Sequence, residues 1–243
     1  SGLVGLGPNL LYAPYLCQWS PDTELEACGE TVFSGDGDDG DVVPPDSEFR
    51  YGGAQWQVAG AVAETATGKS WAELIQATYV EPCSVDSLGY LSLGSIVSGA
   101  PGYPTTFAGD PDGVAETLNP NIEGGAYITT ADYGELLLMH LRGGMCGETQ
   151  VLTQESLDIM HGDRIGAAYD GDAWDPDTGY GMGWWVDRET GRITDPGAWG
   201  AYAWLDLDDG YGGYLIIEDD SSTSRAFAPT LSELVHEAVT GAG

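Results

Sequence analysis

A change of hydrophobic period constrains the fold of this 243-residue chain more than any other feature. Before about residue 160, apolar side chains recur at helical spacing. Beyond it, Gly181 to Asp187, Ala198 to Leu207 and Gly213 to Glu218 alternate with period two and are joined by acidic turns such as Asp208-Asp209-Gly210. A last helical stretch opens at Thr230 with Glu233 and carries Leu231, Leu234, Val235, Ala238 and Val239 on one face. Helices, then an antiparallel meander, then a helix predict an α+β fold in which the terminal helix covers one face of the sheet.

The helical part subdivides by its caps and breakers. Residues 1 to 48 read as irregular, and they end near the acidic run Asp36-Gly37-Asp38-Asp39-Gly40-Asp41. That run has the oxygen-rich look of a calcium loop but lacks the bidentate Glu at the required offset, so calcium is the weaker expectation and a solvated loop the stronger. From Ala54 a helix presents Trp56, Ala59, Val62 and Ala63 and ends near Gly68. Ser70 and Glu73 have capping-box spacing for a second helix, with Trp71, Leu74, Ile75 and Thr78 facing inward, and Pro82 stops it. Residues 99 to 125, punctuated by Pro101, Pro104, Pro111 and Pro120, read as a surface excursion. Thr130 opens a helix with Leu136, Leu137, His140 and Leu141 near its inner face and Gly143-Gly144 as terminator; Thr153 caps a short one through Met160. His140 is most simply a core-edge histidine. The resulting division is 1–48 irregular, 49–165 mainly helical, and 166–243 strands plus the last helix.

Charge and cysteine usage narrow the setting. Seven basic against 39 acidic residues give a net charge of −32, which repels nucleic acid and anionic membrane surfaces. Four cysteines suit two disulfides in an oxidising compartment, for which Cys17 with Cys28 and Cys83 with Cys146 are the expected pairs, although spacing does not dictate connectivity. No Cys-x-x-Cys pair accompanies the three histidines, which argues against zinc. No stretch reaches the ~18 apolar residues of a membrane span, and the first 16 residues lack a signal-peptide pattern. A secreted or periplasmic location is expected, with any export signal removed before Ser1.

Phe49-Arg50-Tyr51-Gly52-Gly53-Ala54-Gln55-Trp56, running through Glu64-Thr65-Ala66-Thr67-Gly68-Lys69 to Val80-Glu81-Pro82, resembles the penicillin-binding-protein and class C β-lactamase superfamily. There an aromatic followed by Tyr-x-Asn opens a helix that ends in a Glu-x-x-x-Gly-Lys turn. Gly124-Gly125-Ala126-Tyr127-Ile128-Thr129-Thr130-Ala131-Asp132, Leu152-Thr153-Gln154-Glu155-Ser156 and Gly179-Tyr180-Gly181-Met182-Gly183-Trp184-Trp185 follow in the family's order, and Ser1-Gly2-Leu3 resembles the end of its His-Thr-Ser-Gly-Leu segment.

The resemblance implies a β-lactamase/transpeptidase-like fold and a serine nucleophile activated by the lysine of Ser-x-x-Lys. Lys69 is the only lysine, and Ala66 stands three residues before it, so that motif is absent from this chain. A hydroxyl needs such an activator near neutral pH. The expectation is therefore a secreted two-chain esterase, amidase or peptidase acting on small-molecule or peptide substrates, with an N-terminal partner chain carrying Ser-x-x-Lys and completing one composite domain.

The same resemblance assigns roles to single residues. Tyr51 matches the proton-shuttling tyrosine, and Gly53 replaces the asparagine that binds a substrate carbonyl. Asp195-Pro196-Gly197 stands where the family has Lys-Thr-Gly or His-x-Gly, which turns a carboxylate-binding cation into an anion and favours neutral or cationic substrates. Gly197 permits close backbone approach, and the Ala198 amide matches an oxyanion-hole donor. Trp199, Tyr202, Trp204 and Trp174 either line an apolar cleft or pack the sheet. A hydroxyl residue at Ser1 also permits self-cleavage by an N-to-O acyl shift. Two alternatives remain: Ser1 as an N-terminal nucleophile with its own α-amine as base, and a non-catalytic binding or structural descendant.

Overall fold

The computed structural model describes residue 3 and residues 13–35, 43–92, 117–166, 176–217, 219 and 221–241. Ser1, Trp174, the Asp36 to Asp41 run and most of the excursion before Thr117 lie outside these residues. The chain divides into two compact units, Ser1–Asp132 and Tyr133–Gly243.

The first unit is built on a helix pair. A short 3₁₀ helix (Ala13–Trp19) leads to α1 (Leu25–Ser34), which packs on α2 (Ala54–Thr67). The irregular character expected for residues 1–48 is therefore corrected, because Leu25, Cys28 and Val32 give that segment a buried helical stripe. The disulfide Cys17–Cys28 ties the 3₁₀ turn to α1 as expected, and closing so short a loop restricts the unfolded chain by about 2–3 kcal/mol. Cys83 and Cys146 are disulfide-bonded as well.

Helix α2 buries a different face from the expected one. Ala54, Gln57, Gly60 and Ala61 point inward while Val62 is 60% exposed. The cause is close approach: a Cβ added to Gly29 of α1 would lie 2.3 Å from the Ala61 methyl, so small residues rather than large ones mark the seam. Gln57 is tolerated there because it is satisfied. It donates to Asn119 Oδ1 at 2.8 Å and to the Pro120 carbonyl at 2.9 Å, and accepts from the Ile122 amide at 3.2 Å. Gly68 ends α2 at φ +67°.

The capping box of Ser70 and Glu73 opens α3 (Trp71–Ile75) as expected. Pro82 does not stop the chain's coiling. A π-helical stretch, Gln76–Val80, passes into the short α4 (Glu81–Cys83), with Pro82 in its first turn. Ile75 is buried as expected, Thr78 is exposed contrary to expectation, and Val80 and Cys83 are buried further on. Strands β1 (Gly89–Tyr90) and β2 (Ala126–Tyr127) pair antiparallel.

Helix α5 (Thr130–Leu141) ends at Gly143 and Gly144, both at positive φ. The small hairpin of β3 (Met145–Cys146) and β4 (Thr149–Gln150) precedes α6 (Gln154–His161), capped by Thr153 as expected. The meander has five strands in sequential antiparallel order rather than three: β5 (Thr178–Tyr180), β6 (Trp185–Asp187), β7 (Ile193–Pro196), β8 (Ala201–Asp206) and β9 (Tyr211–Ile216). Leu137 of α5 joins Trp184, Val186, Ile193, Ala203 and Leu205 in the core of the second unit.

Helix α7 (Ser221–Thr240) packs on β7, β8 and β9, so a terminal helix does cover the sheet. It begins before Thr230, however, and continues through Pro229. Its inward positions are Ser224, Ala228 and Ser232, whereas Leu234 is 58% and Val239 56% exposed. The sheet supplies the bulk that the helix lacks. Trp204, 2% exposed, lies over Gly213, where an added Cβ would sit 2.2 Å from its ring. Trp204 is thus a packing residue, not a cleft residue.

Candidate active site

The residues to which the sequence assigns roles fall in both units, one group in each. In the second, β7 pairs with β6 only through Ile193 and Thr194, while Asp195 and Pro196 pair with Ala203 and Tyr202 of β8. The end of β7 therefore runs beyond its β6 neighbour. Pro196 has no N–H to offer there, which suits an edge left open. A tight turn follows: Gly197 N–H donates to the Ala201 carbonyl at 2.8 Å and Gly200 N–H to the Gly197 carbonyl at 3.2 Å. Gly200 is at φ +90°, and an added Cβ would meet the Ile217 carbonyl oxygen at 1.8 Å, so only glycine makes this turn.

The turn presents Ala198 and Trp199 to solvent, with Trp199 48% exposed. Among the described residues the Ala198 amide has no backbone acceptor. Asp195 is exposed by surface area, yet the surrounding protein removes enough hydration to push its carboxyl up to about 6. No cation pairs with it among the described residues.

In the first unit, Tyr51 is half-buried just before α2, and Gly53 is that helix's N-cap. The space above Gly53 is filled. A Cβ added there would lie 2.0–2.1 Å from the carboxyl atoms of Glu123. Glu123 was not singled out by the sequence, although it stands directly before the Gly124-Gly125 block; its meeting with Gly53 depends on the loop pinned by Gln57, Asn119 and Asn121. Asn119 donates to the Cys17 carbonyl at 2.7 Å, and Asn121 Oδ1 accepts from Gly124 N–H at 3.0 Å. Desolvation raises the Glu123 pKa, partly offset by the Asn121 side chain.

A histidine pair lies within the second unit. His140 Nδ1 and His161 Nε2 are 2.9 Å apart, with Trp184 edge-on to both rings. Burial pushes His140 down to about 4 and also lowers His161. His140 is the core-edge histidine expected.

Asp206, Asp209 and His236 form the one cluster of possible metal ligands found among the described residues. Its groups already have partners: Arg192 reaches Asp206 at 3.5 Å and Tyr211 at 3.2 Å, and the Tyr211 hydroxyl is 3.1 Å from His236. With Arg192 also donating to Ser232 at 3.1 Å, the cluster fastens α7 to the sheet.

The fold is of the beta-lactamase/transpeptidase-like type. The Beta-lactamase family model matches residues 38–237, and the chain belongs to that family. Solved structures agree. The chain is 25% identical to a Bacteroides dorei DSM 17855 protein assigned as a beta-lactamase, with a TM-score of 0.61 over 93% of this chain and 70% of that one. It is 18% identical to a penicillin binding protein from Bacillus halodurans, with a TM-score of 0.64 over 95% and 69%. EstCE1, a hydrolase with promiscuous acyltransferase activity, is 18% identical with a TM-score of 0.61 over 88% and 64%. No curated protein matches the sequence. No helix among the described residues is long and apolar enough to cross a membrane.

Proposed function

We propose that this chain is the substrate-facing part of a secreted serine hydrolase, an esterase, amidase or peptidase, whose nucleophile lies on polypeptide outside these residues. The observation that carries the reading is the exposed turn after β7, where among the described residues the Ala198 amide has no backbone acceptor and the Asp195 carboxylate has no cation partner. In the proposed reaction Ala198 N–H donates to the oxyanion, a contact worth ~3 kcal/mol in the transition state. Tyr51, which belongs to the first unit, is assigned proton transfer on the family resemblance alone. Gly197 lets the substrate backbone approach, Trp199 covers its apolar portion, and Asp195 biases selection toward neutral or cationic acyl groups. The absence of Ser-x-x-Lys from the 243 residues supports an external nucleophile.

The test is fluorophosphonate labelling followed by denaturing intact-mass analysis of the native material. Label on a serine three residues before a lysine, in a separate or continuous polypeptide, supports the hydrolase and also reads whether the chain is cut before Ser1. Native material without label overturns it in favour of a binding descendant of the fold, the reading favoured by loss of the Gly53 and Asp195 counterparts.

A further inference from the structure

We propose that the cavity at the C-terminal end of α2 is a binding site for a small organic cation, an aromatic or branched apolar body that carries one ammonium group. The site lies wholly within the first unit, and none of its lining residues has a part in the proposed hydrolysis. The 14 residues of α2 separate it from Tyr51 by about 20 Å.

The cavity has a volume of about 720 Å³. Small-molecule sites span roughly 300–1,000 Å³ and combine apolar walls with a few polar groups. Trp71 of α3 and Tyr90 of β1 line it with their rings edge-to-face, centroids 5.6 Å apart, and Ile75, Val80 and Tyr127 add further apolar surface. Leu118 contributes from a wall that is already fixed: its carbonyl accepts from the Leu25 amide at 2.9 Å and its amide donates to the Pro21 carbonyl at 3.2 Å. Its side chain is nevertheless 63% exposed, apolar surface that a lodged ligand would cover.

The charge on the same cavity is one-sided. Glu24 and Glu26, at the start of α1, and Glu64, in the last turn of α2, line it against Lys69 alone. Among the described residues none of these four makes an ion pair. Glu24 and Glu26 also suit the positive end of α1, but Glu64 faces the negative end of α2, where helix electrostatics disfavours it. One Glu64 oxygen accepts from the Trp71 amide. Burial still holds its carboxyl above the usual range, with that amide offsetting part of the rise and Glu26 and Glu24 adding to it. A bound cation relieves this crowding. A metal ion does not fit, because the three carboxylates do not bring oxygens within 4.8 Å of one another. An ammonium group needs no such convergence and gains from aromatic walls.

The test is isothermal titration calorimetry of the native protein with 2-(1-naphthyl)ethylammonium, 2-(1-naphthyl)ethanol and 1-naphthylacetate. The ammonium is expected to bind once per chain with a Kd of about 0.1–1 mM, the alcohol about tenfold more weakly, and the carboxylate not measurably. Glu64→Gln, which keeps an oxygen for the Trp71 amide, is expected to weaken the ammonium about fivefold and leave the alcohol unchanged. Glu26→Gln asks the same question from α1 should the first variant fail to fold. Ala72→Trp, at an exposed α3 position on the cavity lining, is expected to abolish binding of both ligands.

Glu148→Gln, an exposed carboxylate of the second unit, controls for general attraction to an acidic protein and is expected to change nothing. No saturable ammonium binding, equal affinity for the three ligands, equal losses in Glu64→Gln and Glu148→Gln, or unimpaired binding to Ala72→Trp would each overturn the assignment and leave these carboxylates a solvated surface. Since the readout needs no turnover, it stands or falls separately from the hydrolase reading.

Discussion

Acidification should expose the cost of burying the His140–His161 pair. The 2.9 Å contact needs one ring to donate and the other to accept, which two neutral imidazoles can do. Burial lowers the His140 pKa from 6.5 to about 4, with His161 adding electrostatically. A base with a depressed folded-state pKa contributes stability that is present above 6.5 and lost as pH falls toward 4. Between those values the unfolded chain binds the additional proton. From pH 8 to pH 5 the loss attributable to His140 is roughly 2 kcal/mol, approaching about 3 kcal/mol below pH 4.

The raw pH dependence will not show this cleanly. Protonating some of the 39 acidic residues relieves self-repulsion and acts in the opposite direction. The informative comparison is therefore with His140→Phe, which keeps an aromatic ring against Trp184 but cannot titrate. Urea unfolding at pH 8 and pH 5, followed by tryptophan fluorescence, should show wild type losing roughly 2 kcal/mol more than the variant. Equal pH dependence in the two proteins would refute the reasoning, since the histidine would then be hydrated or protonated at no cost.

Other outcomes follow from single contacts. The rate on a cationic ester relative to its neutral isostere should rise as pH passes through about 6, where Asp195 ionises, and Asp195→Asn should flatten that rise; an identical profile would remove Asp195 from substrate selection. Gly200→Ala should destabilise the second unit by about 2–3 kcal/mol in denaturant titration, because its Cβ meets the Ile217 carbonyl at a positive φ. Gln57→Leu should cost about 2 kcal/mol by leaving buried Asn119 and the Ile122 amide without their partner, and hydrogen exchange of the 117–125 loop should accelerate. Trp204→Ala should cost about 3–5 kcal/mol, read as a fall in Tm, since no neighbouring side chain can grow into the space over Gly213.

Local chemistry made much of this protein legible in one dimension. The Ser70/Glu73 capping box, the Thr153 cap and the Gly143-Gly144 terminator each act within a few residues and are found where their types require. The switch from helical to alternating period likewise announced the meander, and motif order announced the family. Strands β5 and β7 escaped notice because segments of three or four residues containing Gly, Asp or Pro are too short to display a period; their neighbours' backbone bonds make them strands.

Tertiary contact decided the rest. Which face α2 buries depended on how nearly α1 could approach at Gly29, and a fully buried glutamine became acceptable only once a distant loop supplied its partners. Capping spacing placed the start of the last helix at Thr230, yet packing of α7 on three strands carries the helix back through Pro229 to Ser221. At the candidate site, Tyr51 and the Asp195 to Ala198 segment could be named from adjacent residues. The Glu123 carboxylate over Gly53 could not, because sequence specifies a residue's chemistry but only the folded chain determines which distant group occupies the space beside it.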